Sequence, residues 1–151
     1  MMTRVSDPAG VILRRYAQFL VDRLLVAVPT FIVLLTGLLC VLRMHRGDGR
    51  TVLVYVMAGL FVLALVGGNW FIEVWVPHRW LGSTPGMRWL GLRVVTEHGE
   101  PPALRSYMIR WLMMVVDGYF FGLVGALAIA FTPRHQRFGD MVARTVVIRR
   151  A

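Results

Sequence analysis

Six charged side chains sit within or at the edges of the apolar blocks of this 151-residue sequence: Arg15, Arg23 and Arg110, against Asp22, Glu73 and Asp117. An ionised carboxylate in hydrocarbon is costly unless paired or hydrated, and intramembrane carboxylates are the usual cation ligands and proton relays. Asn69, one turn before Glu73, adds a neutral polar group. The set reads in three ways. It is a buried ion-pair network that fixes helix packing; or single residues hold structural posts, as Asp117 would by capping the helix that follows it; or the carboxylates line a proton or cation path. A short internal echo links two of the pairs. Arg15-Tyr-Ala-Gln-Phe-Leu-Val-Asp22 and Arg110-Trp-Leu-Met-Met-Val-Val-Asp117 share arginine, aromatic, three residues, an aliphatic, valine and aspartate. This spacing puts each Arg and its Asp on one helix face, about two turns and roughly 10 Å apart.

The sequence carries no enzyme signature. His45, His78, His98 and His135 stand outside the apolar runs without metal-ligand spacing. No serine or cysteine has a sequence-evident base, and no glycine loop cradles phosphate, so neither cofactor nor metal is expected. Gly67 and Gly68 read as positions of close helix approach. The single cysteine, Cys40, excludes an intrachain disulfide.

The elements that carry these residues are apolar. Hydrophobic residues make up 57% of the chain, against about 45–50% in soluble domains, and mean hydropathy is +0.63. The length fits one domain, residues 1–151. A net charge of +9 would suit nucleic acid, but the apolar blocks make a bilayer the expected partner and exclude nucleic acid as the first reading. All the basic residues are arginines, which suit anionic headgroups through their planar fork. The first uncharged run, 24–42, contains Pro29 and is long enough to span. The second is 51–72, after a charged loop at 43–50. The third apolar block, 111–133, is interrupted by Asp117, Gly118 and Gly122, and each half is too short to cross about 30 Å of hydrocarbon.

Arginine placement and strand-like sequence both bear on whether this block crosses once or returns. Leaving out Arg23, three simple crossings put eight arginines on each side, whereas a returning third block puts thirteen on one side and three on the other. Cytoplasmic segments are the arginine-rich ones. Residues 92–96 and 145–148 read as short strands, and they can pair only if the middle loop and tail share a side. The expected fold is therefore an all-α integral membrane protein with two transmembrane helices, a third hydrophobic helical hairpin (favoured) or long helix, and a small cytoplasmic strand pair. N-terminus, middle loop and C-terminus are expected on the cytoplasmic side of the inner membrane. In the middle loop, Thr84-Pro85-Gly86 is a turn signal, and Trp89 and Leu90 beside Arg88 and Arg93 suit the membrane interface. Asp140 is expected to cap or pair locally with Arg137 or Arg144.

These residues resemble the RDD family, small bacterial membrane proteins named for an arginine and two aspartates. Arg15-Tyr-Ala…Val-Asp22 resembles the family's opening helix. Thr84-Pro85-Gly86…Gly91-Leu-Arg93-Val-Val resembles its central stretch, and Gln136-Arg137-Phe-Gly-Asp140 with Thr145-Val-Val its close. Arg15 and Asp22 are the first two signature residues by this resemblance, and the third is Asp117 or Asp140. Met87 stands where lysine is common in the family and Gly139 where histidine is common. The resemblance implies a transport-related role, with cation–proton exchange among the suggestions. The alternative is a non-transporting scaffold or assembly subunit, a homo-oligomer or a partner of other membrane subunits, whose charges only hold helices together.

Overall fold

The computed structural model describes residues 8–45 and 47–149. Arg4, Arg46 and Arg150, which enter the arginine count above, lie outside them. The described residues form two compact units: Arg23–Phe71, and the chain before and after that segment.

Two long helices bear the expected spans. α1 (Pro8–Arg43) runs without interruption through Pro29. α2 (Asp48–Trp70) passes into a π-helical turn, Phe71–Trp75, and then into α3 (Val76–Arg79). The segments Ile12–Arg43 and Asp48–Arg79 are each 32 residues long and apolar enough to cross a membrane, with mean hydropathy reaching 2.7 and 2.3. The second thus outruns the 51–72 expected from its uncharged stretch. Helical hydrogen bonding tolerates Glu73, buried inside the π turn, and continues to Arg79. In the Arg23–Phe71 unit, a Cβ at Gly68 would fall 2.9 Å from Val26 Cγ1 and one at Gly37 2.2 Å from Met57 Sδ. Those contacts are where the two helices touch. Gly67 has open space beside it, so only Gly68 of the expected pair serves close approach. No residue of α2 is buried, which leaves its apolar side chains facing outward.

The second unit is built on short elements. α4 (Pro85–Trp89) leads into β1 (Leu92–Thr96); α5 (Leu104–Asp117) and α6 (Tyr119–Phe131) make the third hydrophobic block; α7 (Phe138–Val142) leads into β2 (Thr145–Arg149). β1 and β2 pair antiparallel, with Val94 opposite Val147, as the strand-like runs led one to expect. Val74, Met87, Val94 and Tyr107 are the most deeply buried apolar side chains. Residues Leu104–Asp117 and Gly122–Phe131 meet at 106°. Gly122 turns the chain there with φ +84°, a conformation that side chains with a Cβ resist. The strand pair and an ion pair from Arg134 to Glu97 at 2.8 Å bring the end of the block back to where it began. The block is bent rather than a straight helix.

Candidate functional site

Asp140 is the centre of the buried polar groups. It follows the break after α6, on the third residue of α7, and is wholly buried. Arg15 Nη2 from α1 lies 2.5 Å from Asp140 Oδ2, and Arg110 Nη1 from α5 lies 2.5 Å from Oδ1. The Arg137 backbone N–H also donates to Oδ2, at 3.1 Å, an N-terminal box on α7. Arg15 reaches on to the His135 carbonyl at 2.8 Å, and Arg110 to Thr145 Oγ1 at 3.1 Å. One carboxylate therefore ties α1, α5, α7 and the start of β2 together. Burial pushes Asp140 up, but the guanidinium fields of Arg110, Arg15 and Arg137 outweigh it and hold the carboxyl well below the usual range.

The other two aspartates serve short helices. Asp22 Oδ2 accepts from Gln18 Nε2 at 2.7 Å and Thr84 Oγ1 at 2.6 Å, and its Oδ1 accepts from the Gly86 N–H at 2.8 Å. Thr84 Oγ1 in turn accepts from the Met87 N–H at 3.2 Å, capping α4. Asp117 Oδ1 accepts from the Phe138 N–H and its Oδ2 from the Gly139 N–H, both at 3.0 Å. An α-helix leaves its first N–H groups without internal partners, and a carboxylate supplied from another helix satisfies them. Gly86 and Gly139 permit this approach. A Cβ at Gly86 would lie 2.8 Å from the Gln18 carbonyl, and one at Gly139 3.1 Å from Asp117 Oδ2.

The sequence echo thus extends into a structural repeat. In each copy an Arg…Asp helix is followed, after an intervening segment, by a five-residue helix whose second residue is glycine. Next come a left-handed residue (Gly91, φ 66°; Arg144, φ 51°) and a five-residue strand. Phe138 stands to Pro85, Arg144 to Gly91 and Thr145 to Leu92 at one constant offset. The strands pair symmetrically about Val94 and Val147, so the short modules are related by a local two-fold. The likeness is one of backbone, and two differences of residue matter most. Buried Met87 stands where the second copy has Asp140, and Thr84, which completes the cap on α4, stands where it has Arg137.

Several expectations are corrected. Asp22 is not held by Arg15 or Arg110, because both guanidiniums go to Asp140 and Asp22 is satisfied by neutral donors. Asp117 does not cap α6, whose start has no side-chain cap; it caps α7 across a tertiary contact. Asp140 does cap locally, accepting from the Arg137 N–H as expected, but its ion pairs go to the distant Arg15 and Arg110, and Arg144 is exposed at the turn before β2. Thr84-Pro85-Gly86 opens a helix rather than a simple turn. Within the Arg23–Phe71 unit, Arg23 donates to Asn69 Oδ1, and Asn69 donates to the Leu65 carbonyl at 2.6 Å. Arg88 stacks 4.7 Å over Trp80, and Arg93 is exposed on β1. Gln18, Thr145 and the bond to His135 were missed. Gln18 lies one turn before Asp22 on the same helix, a signal the spacing offered.

Arg137 differs from the other buried arginines. Burial lowers its pKa, but the fields of Asp140, Glu73, Asp117 and Asp22 outweigh this and raise it, so it stays ionised. Among the described residues no group of three or more His, Cys, Asp or Glu side chains is placed to hold a metal. Chemically, the arrangement fixes helix ends and joins segments distant in sequence. No curated protein and no solved structure matches the chain. The RDD family's sequence model, however, matches residues 9–144, which takes in both units and all of the site's helices and stops just before β2, and the chain belongs to the RDD family.

Proposed function

We infer that this chain is a multi-pass inner-membrane scaffold or assembly subunit, whose buried charges are structural and carry neither transport nor catalysis. One observation carries the reading: both carboxylate oxygens of Asp22 and Asp117 accept from fixed protein donors, and each oxygen of Asp140 is in ion-pair contact with an arginine. A relay or cation ligand needs an oxygen free to exchange its partner. The outward apolar faces of α2 suit lipid, a second copy or other membrane subunits. The N-terminus, middle loop and C-terminus lie on the cytoplasmic side, a topology supported by the strand pair, the Arg134–Glu97 tie and the arginine bias. Arg79 over Trp75 and Arg88 over Trp80 suit anionic headgroups at that interface.

The test is a paired replacement. Arg15→Gln takes one of two guanidiniums from Asp140, and Asp140→Asn leaves Arg15 and Arg110 without their carboxylate, the latter at about 3–5 kcal/mol by analogy with soluble proteins. The balanced double variant should be more stable in detergent than the sum of the two losses. Strict additivity would show that the two side chains do not act as a structural pair.

A further inference from the structure

We propose that Arg137, with Arg15, forms a cleft between α1 and α6 that takes a phosphate oxygen of an amphiphilic anion, such as the phosphodiester of an anionic lipid. The inference goes beyond the scaffold reading and does not depend on it.

Arg137 is 6% exposed. Among the described residues its guanidinium makes no hydrogen bond or ion pair; only its backbone N–H is engaged, with Asp140. Nearby carboxylates offset its charge, while its guanidinium N–H groups stay open to an acceptor. The internal repeat shows that the cap does not require this side chain. At the equivalent place Thr84 completes the cap on α4 with its hydroxyl, whereas the Arg137 side chain contributes nothing to the cap on α7 and instead lines a cleft. A buried donor lines the same cleft: Arg15 Nε has no acceptor. Asp117, also in the lining, has committed each oxygen to an N–H of α7.

The polar side of the cleft therefore offers spare donors, and its occupant must bring acceptor oxygen. The opposite wall is apolar and small, with Phe19 from α1 and Gly125 and Ala126 from α6. A Cβ at Gly125 would lie 3.5 Å from Arg137 Cδ, so the absent side chain leaves room beside the guanidinium stem. The enclosed base admits about one oxygen-sized atom. An occupant that inserts one anionic oxygen and lies along an apolar wall is an amphiphile with an anionic head. Planar guanidinium donors are the protein groups best matched to phosphate oxygen.

The experiment follows thermal stabilisation of the full chain in a non-ionic detergent, titrated with phosphatidylglycerol or with inorganic phosphate at constant ionic strength. Bound ligand raises the melting temperature by an amount that grows with the logarithm of its concentration over Kd, so the titration yields an apparent affinity. Arg137→Gln should weaken the apparent affinity about tenfold or more, the loss of one charge-assisted hydrogen bond. Ala126→Leu, which narrows the cleft and keeps both arginines, should weaken it too and serves as the readout if Arg137→Gln does not fold. Arg105→Gln, at an exposed position, removes the same charge and should respond as wild type. A response to phosphatidylglycerol alone assigns the site to a lipid headgroup; an equal Arg137-dependent response to inorganic phosphate assigns it to free phosphate. Wild-type titrations in both Arg137→Gln and Ala126→Leu, or an equal loss in Arg105→Gln, would overturn the proposal and leave the cleft to water.

Discussion

Replacing Asp117 separates a cap that needs two oxygens from one that needs a single acceptor. Its Oδ1 and Oδ2 each accept one backbone N–H at 3.0 Å, from Phe138 and Gly139. Asparagine keeps one acceptor oxygen and turns the other into a donor aimed at an N–H, so Asp117→Asn strands one amide. A buried donor left unsatisfied costs about 1–3 kcal/mol. Alanine strands both, at about 2–6 kcal/mol by the same figure. For a chain of this size 1 kcal/mol moves a melting midpoint about 2–4 °C. The expected losses are then about 2–12 °C for asparagine and 4–24 °C for alanine. Tryptophan fluorescence melts in one detergent would rank the variants. Arg134→Gln, which breaks the exposed pair with Glu97, supplies the baseline, since such pairs contribute about 0–1 kcal/mol. An alanine variant no less stable than Arg134→Gln would refute the reasoning, because water or another group would then be satisfying the first N–H groups of α7.

Two further outcomes follow from the same geometry. Because arginines hold the Asp140 carboxyl below the usual range despite its burial, its stabilisation is complete above the ordinary carboxylate pKa of about 4 and is lost as pH falls below that value. Wild type should therefore lose stability on acidification below about pH 4 more steeply than Asp140→Asn, and parallel curves would remove Asp140 as the linked group. Reporter fusions after Val95 and after Arg149 should both report cytoplasm, with external labelling confined to the 43–50 loop; opposite sides for the two fusions would remove the returning block.

Much of the fold was legible because apolar runs, charge breaks and β-branched runs are local signals. The two long helices, the interrupted third block and the paired strands 92–96 and 145–149 all followed from them. The partner assignments were not legible. Helical spacing places Arg15 and Asp22 on one face, which suggests that they pair, yet a fixed guanidinium takes whichever carboxylate the tertiary fold brings within reach. That carboxylate is Asp140, far along the chain and outside any apolar run. The same reason moved the Asp117 cap from α6, its neighbour in sequence, to α7, its neighbour in space. The repeat was half visible: the Arg…Asp octets share residue types, but the five-residue helices share only a glycine at their second position, which no sequence period announces.

The central claim is that the buried carboxylates hold the protein together and move nothing. Ion flux in proteoliposomes of purified protein, under an imposed proton or sodium gradient, tests it most directly. Wild type should carry no flux above protein-free liposomes, and the folded Asp22→Asn and Asp117→Asn variants should be indistinguishable from it. Gradient-driven flux in wild type that disappears in a folded Asp117→Asn or Asp22→Asn variant would contradict the account and make those carboxylates a path.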